Sequence, residues 1–165
     1  MIFIAVGSNL HVPGLGKPLD ICRKALARLD SMGIAVAALS RFYETAPVPV
    51  SDQPWFVNAV ARVGCDLNAA TLLDRLHQVE QEFGRVRRER NEARVLDLDL
   101  IDYKRMVDAG PPILPHPRMV DRAFVLLPLA DVAPDWTHPA DGRGIGDLIA
   151  ALPPDQAIRP LSGLE

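Results

Sequence analysis

The ten residues from Arg94 to Tyr103, RVLDLDLIDY, alternate apolar and charged side chains over most of their length. A period of two belongs to a strand. Successive strand residues point to opposite faces, so Leu96, Leu98 and Leu100 share one face while Asp97 and Asp99 share the other with Val95 and Ile101. At a rise of roughly 3.3 Å per residue the two carboxylate stems stand roughly 7 Å apart. That is too far for mutual hydrogen bonding, and close enough to hold hard cations jointly, magnesium above all. Taken alone, these residues also read as a half-buried strand carrying two solvated acids.

The preceding segment, GRVRRERNEAR, sets Arg85, Arg87, Arg88, Arg90 and Arg94 against only Glu89 and Glu92. Its local charge is plus three (five minus two), in a chain whose net charge is −3. The arginine cluster is thus a local arrangement. Guanidinium groups read phosphate bidentately. Beside carboxylates able to carry magnesium, they supply the two halves of a nucleoside triphosphate site. The competing reading is a solvated loop whose arginines pair with its glutamates.

A chain of 165 residues suits one domain, burying about two thirds of its unfolded surface. No apolar run is long enough for a membrane span. MIFIAVGSN at the start is too short, and lacks the basic lead, for a secretory signal, so a strand in a cytoplasmic protein is expected. Cys22 and Cys65 form no CxxC pair, which points to buried, reduced thiols and away from zinc or a disulfide framework. A pI near 5.8 argues against general nucleic-acid binding. No spare apolar surface stands out, and a monomer is expected.

Along the chain, Ile2 to Val6 reads as a strand ended by Gly7, Ser8 and Asn9, with Gly7 permitting close backbone approach. Apolar residues from Leu19 to Met32 recur at helical spacing. Ile34 to Tyr43 is expected to be one strand, followed by a proline-rich loop, 44 to 54, of functional length. Trp55 to Cys65 is a further strand with Phe56, Asn58, Val60 and Arg62 on one face, where Asn58 serves either an edge hydrogen bond or a ligand. Asn68 caps a second helix that ends at Gly84, and Glu80 beside its apolar stripe is expected to pack its stem and keep its head in water. With the aspartate strand, the order is βαββαβ, that of a ferredoxin-like α+β sandwich with an antiparallel sheet. Beyond Tyr103 come a short strand or turn, a loop rich in proline that includes His116, a helix from about Met119 to Ala130, a short helix within Gly144–Leu152, and a tail. On residue type alone Phe124 is a core anchor.

Seven blocks in order then carry a resemblance: AVGSNL at 5 to 10, FYETAPV at 42 to 48, QPWFVNAV at 53 to 60, VEQEFGRVR at 79 to 87, RVLDLDLI at 94 to 101, LPHPRMVDRAF at 114 to 124 and LPLADVAP at 127 to 134. The sequence resembles the 6-hydroxymethyl-7,8-dihydropterin pyrophosphokinases of folate biosynthesis almost end to end. The resemblance implies magnesium-dependent transfer of pyrophosphate from ATP to the pterin hydroxymethyl group, releasing AMP. It implies two magnesium ions on Asp97 and Asp99, catalysis by these with Arg85 and Arg94, and ATP held by His77, Glu80, Arg85, Arg87, Arg90, Leu100, His116 and Arg122. It further implies a pterin ring sandwiched by Phe56 and Phe124, its edge read by Asn58 and by backbone at Thr45, Ala46 and Val48, with Asp97 orienting the acceptor hydroxyl.

Two features depart from the family pattern or oppose a rival. Where a common version reads RWGPR, this chain has Arg90, Asn91, Glu92, Ala93 and Arg94, so closure over ATP would use other contacts. A ferredoxin-like RNA binder would need the aromatic run of such modules, which is missing, and Asp97 with Asp99 would repel a nucleic-acid backbone.

Overall fold

The computed structural model describes residues 1–84 and 93–162. Strand β1 (Ile2–Ser8) lies at the middle of an antiparallel sheet, between β4 (Phe56–Gly64) and β5 (Asp97–Tyr103). The sheet runs β5-β1-β4-β3-β8, with β3 at Tyr43–Thr45 and β8 at Ile158–Pro160, while β2 (Ala35–Leu39) pairs with the far half of β4, and β6 (Asp108–Ala109) and β7 (Ile113–Leu114) pair with each other apart from it. Helices α1 (Pro18–Ser31) and α2 (Ala69–Glu82) cover one face. Helix α3 (Ala123–Val132), α4 (Ile145–Ala150) and Trp136 cover the other. The βαββαβ order expected from the sequence therefore stands, with a C-terminal layer added behind the sheet.

The two-residue period decides which core each side chain enters. Ile2, Ile4 and Val6 of β1 pack toward α1 and α2 with Leu98 and Leu100, whereas Phe3 and Ala5 pack toward α3 with Ile101 and Val60. A strand covered on both faces reads as a continuous apolar run, as IFIAV does. Asn68 caps α2 as expected, its Oδ1 accepting from the Thr71 N–H at 2.8 Å.

Several expectations fail, each for a physical reason. The single strand 34–43 is two, because the buried Ser40 replaces ladder geometry with its side chain: its Oγ accepts from the Val60 N–H (2.9 Å) and donates to the Arg41 carbonyl (2.7 Å). Regular pairing in β5 starts only at Asp97, so Val95 turns toward the leucine-side core instead of sharing the aspartate face. The helix from Met119 is a 3-10 turn, Met119–Asp121, and then α3, parted by Arg122 in extended backbone (φ −118°, ψ 108°). The tail is no tail, since β8 forms the outer edge of the sheet against β3. Of the thiols, Cys22 is buried and Cys65 only half-buried. Burial pushes the Cys22 thiol up to about 12, which keeps it protonated and inert.

Candidate active site

A cavity of about 310 Å³ opens at the end of the sheet where β1 finishes, β4 and β5 begin, and α3 starts. Its position follows from strand direction. Antiparallel pairing sets Gly7 beside both Asn58 and Asp97, so the chemistry-bearing ends of β4 and β5 meet across β1.

One side of the cavity carries two phenylalanines and a buried amide. Phe56 from β4 and Phe124 from α3 both line it and both remain partly exposed. Phe124 also leans on the core behind α3, and the Arg122 guanidinium lies 5.3 Å from its ring centroid. Asn58, 7% exposed, donates from Nδ2 to Thr45 Oγ1 at 2.7 Å, which fixes the carboxamide at the back of the cavity. Gly7 is glycine for space: a Cβ there would collide with Asn58 Oδ1. Ala46 and Val48 complete this wall.

The other side is charged. Asp97 and Asp99 both line the cavity, half-buried, on the face opposite the leucines. Arg94 Nη1 meets Asp97 Oδ2 at 2.9 Å. Arg118 and Arg122 also line the cavity, Arg122 within electrostatic reach of Asp99 and Asp97. Burial, and next the neighbouring Arg118 charge, lower the Arg122 pKa, with Asp99 and Asp97 opposing. His116 sits behind these arginines, outside the cavity lining, its backbone N–H donating to the Ile101 carbonyl at 2.9 Å. Burial first, and then Arg122 and Arg118, push its pKa down to about 4. The ring is thus neutral near pH 7. Its Nδ1 accepts from the Arg118 N–H (3.2 Å), which assigns the proton to Nε2 as a donor.

Glu80 corrects the expectation of a solvated head. It is 1% exposed, and Oε1 accepts from the Leu98 N–H at 2.8 Å. Because β5 is an edge strand, that N–H has no strand to bond to, and the helix carboxylate satisfies it. Glu80 and His77 both line the cavity from α2. Leu100 does not, since its side chain lies in the core under α1 and α2. Arg85, Arg87, Arg88 and Arg90 lie outside the described residues.

Sequence reasoning missed Asn9, Gln53 and Arg118. Asn9, 2% exposed, donates from Nδ2 to Gln53 Oε1 (3.2 Å) and the Pro54 carbonyl (3.1 Å), while its Oδ1 accepts from the Arg94 N–H (2.9 Å). One carboxamide therefore joins the loop before β4 to the residue that grips Asp97. The signal available was an amide side chain at the end of an apolar strand, read only as a turn residue.

The match to a family model of 7,8-dihydro-6-hydroxymethylpterin-pyrophosphokinases spans residues 3–134. The chain belongs to this family. A 2-amino-4-hydroxy-6-hydroxymethyldihydropteridine pyrophosphokinase of Pseudomonas aeruginosa is 40% identical over 153 residues, covering 92% of this chain and 91% of that protein. Its counterpart in Haemophilus influenzae is 38% identical over 138 residues, covering 83% and 84%. A folic acid synthesis protein of Pneumocystis carinii is 35% identical over 161 residues, 97% of this chain, which spans only 21% of that longer protein. The seven blocks that carry the resemblance fall within the matched span.

Proposed function

We propose that the protein transfers the pyrophosphoryl group of ATP to the hydroxymethyl group of 6-hydroxymethyl-7,8-dihydropterin in folate biosynthesis, giving AMP and the pterin diphosphate. The observation that carries the reading is the division of one cavity between a ring slot, Phe56 and Phe124 with the fixed Asn58 amide, and a charged wall of Asp97, Asp99, Arg94, Arg118 and Arg122. Either half alone would be ambiguous. Together they match a flat heterocycle whose side arm must meet a polyphosphate.

Two magnesium ions suit Asp97 and Asp99. No group of three or more potential protein ligands occurs among the described residues, so two carboxylates would be completed by phosphate oxygens and water, the usual habit of magnesium. When bound, the ions would neutralise charge on the phosphate oxygens. The acceptor oxygen forms a bond to the β-phosphorus as the bond from that phosphorus to the α,β-bridging oxygen breaks, and AMP leaves with it. Little general-base strength is required, and Asp97 orients the acceptor hydroxyl. Arg94 and Arg122 place positive charge around the phosphates, and the half-buried His116 offers its neutral Nε2–H as a donor. Arg85, Arg87 and Arg90 would extend that field. Glu80, His77 and the backbone at Leu100 would serve the nucleotide. Stacking between Phe56 and Phe124 holds the ring, and Asn58 with backbone at Thr45, Ala46 and Val48 selects its orientation.

The enzyme is read as a cytoplasmic monomer acting on small molecules. The family supports the small-molecule part of this reading, and the acidic composition speaks against a nucleic-acid partner. Mixing the protein with magnesium, ATP and the hydroxymethyl pterin tests the activity: AMP should appear only when the pterin is present. ATP binding without turnover would leave a nucleotide sensor and overturn the assignment.

A further inference from the structure

The family match ends at residue 134, yet the segment that finishes the sheet lies beyond it and reaches both walls of the ring slot. On one side β8 pairs with β3 in the register Thr45↔Ile158, and the Ala46 N–H donates to the Ala157 carbonyl at 3.0 Å. These are the residues assigned to the ring edge. Arg159 strengthens the join, its Nε meeting Glu44 Oε2 at 2.8 Å while its guanidinium stands 5.2 Å from the Trp55 ring centroid. On the other side the Gln156 side chain reaches the start of α3. Its Oε1 accepts from the Ala123 N–H (2.9 Å), and its Nε2 donates to the Asp121 carbonyl (2.8 Å).

Those two bonds bracket Arg122. The Ala123 amide is the first of α3 and has no partner within the helix, and the N-cap residue Arg122 provides no side-chain cap. Gln156 supplies the missing acceptor from a distant part of the chain. Holding the peptide groups before and after Arg122 limits rotation about its backbone, and with it the placement of its guanidinium and of Phe124 one residue into the helix.

The geometry points to Gln156 as a positioning residue for the pterin: through it the C-terminal strand fastens the wall bearing Arg122 and Phe124 to the wall bearing Thr45 and Ala46. This rests on the proposed function, because it assigns the slot to the substrate ring. With the brace cut, the two walls share the correct spacing for a smaller fraction of the time, and the apparent affinity falls by that fraction. Gln156 touches no substrate atom in this account. The effect should therefore appear chiefly in KM for the pterin, through Phe124, with at most a small fall in kcat through Arg122.

Gln156→Met keeps the length of the side chain and removes both hydrogen bonds, whereas Gln156→Glu keeps the acceptor for the Ala123 N–H and loses the donor to Asp121. At saturating magnesium and ATP, Gln156→Met should raise KM for the pterin about tenfold, the loss expected for two ordinary hydrogen bonds, with kcat within about twofold of the wild type. Gln156→Glu should fall between the two. A KM for Gln156→Met within about twofold of the wild type would overturn the proposal, as would a fall in kcat at unchanged KM, which would mean that the pterin is held as well without the brace. If Gln156→Met fails to fold, Gln156→Glu decides: a clear rise in KM supports the brace and an unchanged KM removes it. The wild type and Phe124→Ala separate the two claims. No pterin-dependent AMP from the wild type defeats the proposed function, whereas normal wild-type turnover with pterin binding weakened by Phe124→Ala and untouched by Gln156→Met defeats only the brace.

Discussion

Strand β5 carries three aspartates in seven residues, and its two ends use them in opposite ways. At the cleft end Asp97 and Asp99 are half-buried and line the cavity, with Arg94 on Asp97 at 2.9 Å. At the far end Asp102 is 1% exposed and saturated from within the fold, accepting from the Arg105 N–H and from Trp136 Nε1, both at 2.8 Å. Residue type and strand are the same. What differs is the surroundings: Asp102 is enclosed between its two donors, whereas Asp97 and Asp99 line the cavity, where a ligand can reach them. A carboxylate whose donors are built in holds the fold together, whereas one beside a cavity can serve chemistry.

The sharpest way to break that contrast is substitution at each end. Asp99→Ala should lower turnover by about a thousandfold or more while the unfolding midpoint in urea stays near the wild-type value. Asp102→Ala should do the reverse, costing on the order of 3 kcal/mol in urea unfolding because the Trp136 and Arg105 N–H groups lose their acceptor, with kcat of the folded protein little changed. Exchanged outcomes would sink the comparison. The ring side should respond differently from both: Phe56→Ala should raise KM for the pterin by about tenfold, against a small change in KM for ATP, measured by steady-state kinetics. Equal losses for both substrates would remove Phe56 from the ring sandwich.

The smallest expected effect concerns His116. Its folded pKa of about 4 lies below the ordinary value of 6.5, so between those values the unfolded chain binds the proton first. Stability from this residue is full above about pH 6.5 and is lost as pH falls toward 4. Comparing urea midpoints of the wild type and His116→Asn at pH 7 and pH 4.5 should show a pH-dependent difference of about 2 kcal/mol. A difference independent of pH would mean that the imidazole is not held neutral by its surroundings.

Much of this arrangement was legible before any coordinates, and the reason is periodicity. DLDLI announces its own faces, up to the bulge that sends both Ile101 and Asp102 toward the α3 side, and Asn68 announces the start of α2, because both signals are local. The break at Ser40 was hidden because a serine looks like any other strand residue until its hydroxyl takes over ladder bonds from Val60. Glu80 was misjudged because its partner is an unpaired edge N–H at Leu98, and strand order cannot be read from a period. β8 escaped for a related reason. Its three residues are not apolar enough to declare a strand, and they pair with residues more than a hundred positions earlier. In the cleft, Asp97, Asp99 and Arg94 stood out in the residue pattern and Phe56 and Phe124 were singled out through the family blocks, while Asn9 and Gln156 tie distant segments together and leave no local pattern.

The central claim is that Asp97 and Asp99 jointly seat divalent cations under the triphosphate, and calorimetric titration of magnesium into the protein with a non-hydrolysable ATP analogue tests it directly. The wild type should take up metal in excess of the analogue alone, and Asp97→Asn/Asp99→Asn should lose that excess while Asp102→Asn keeps it. Undiminished uptake by the double variant would contradict the account.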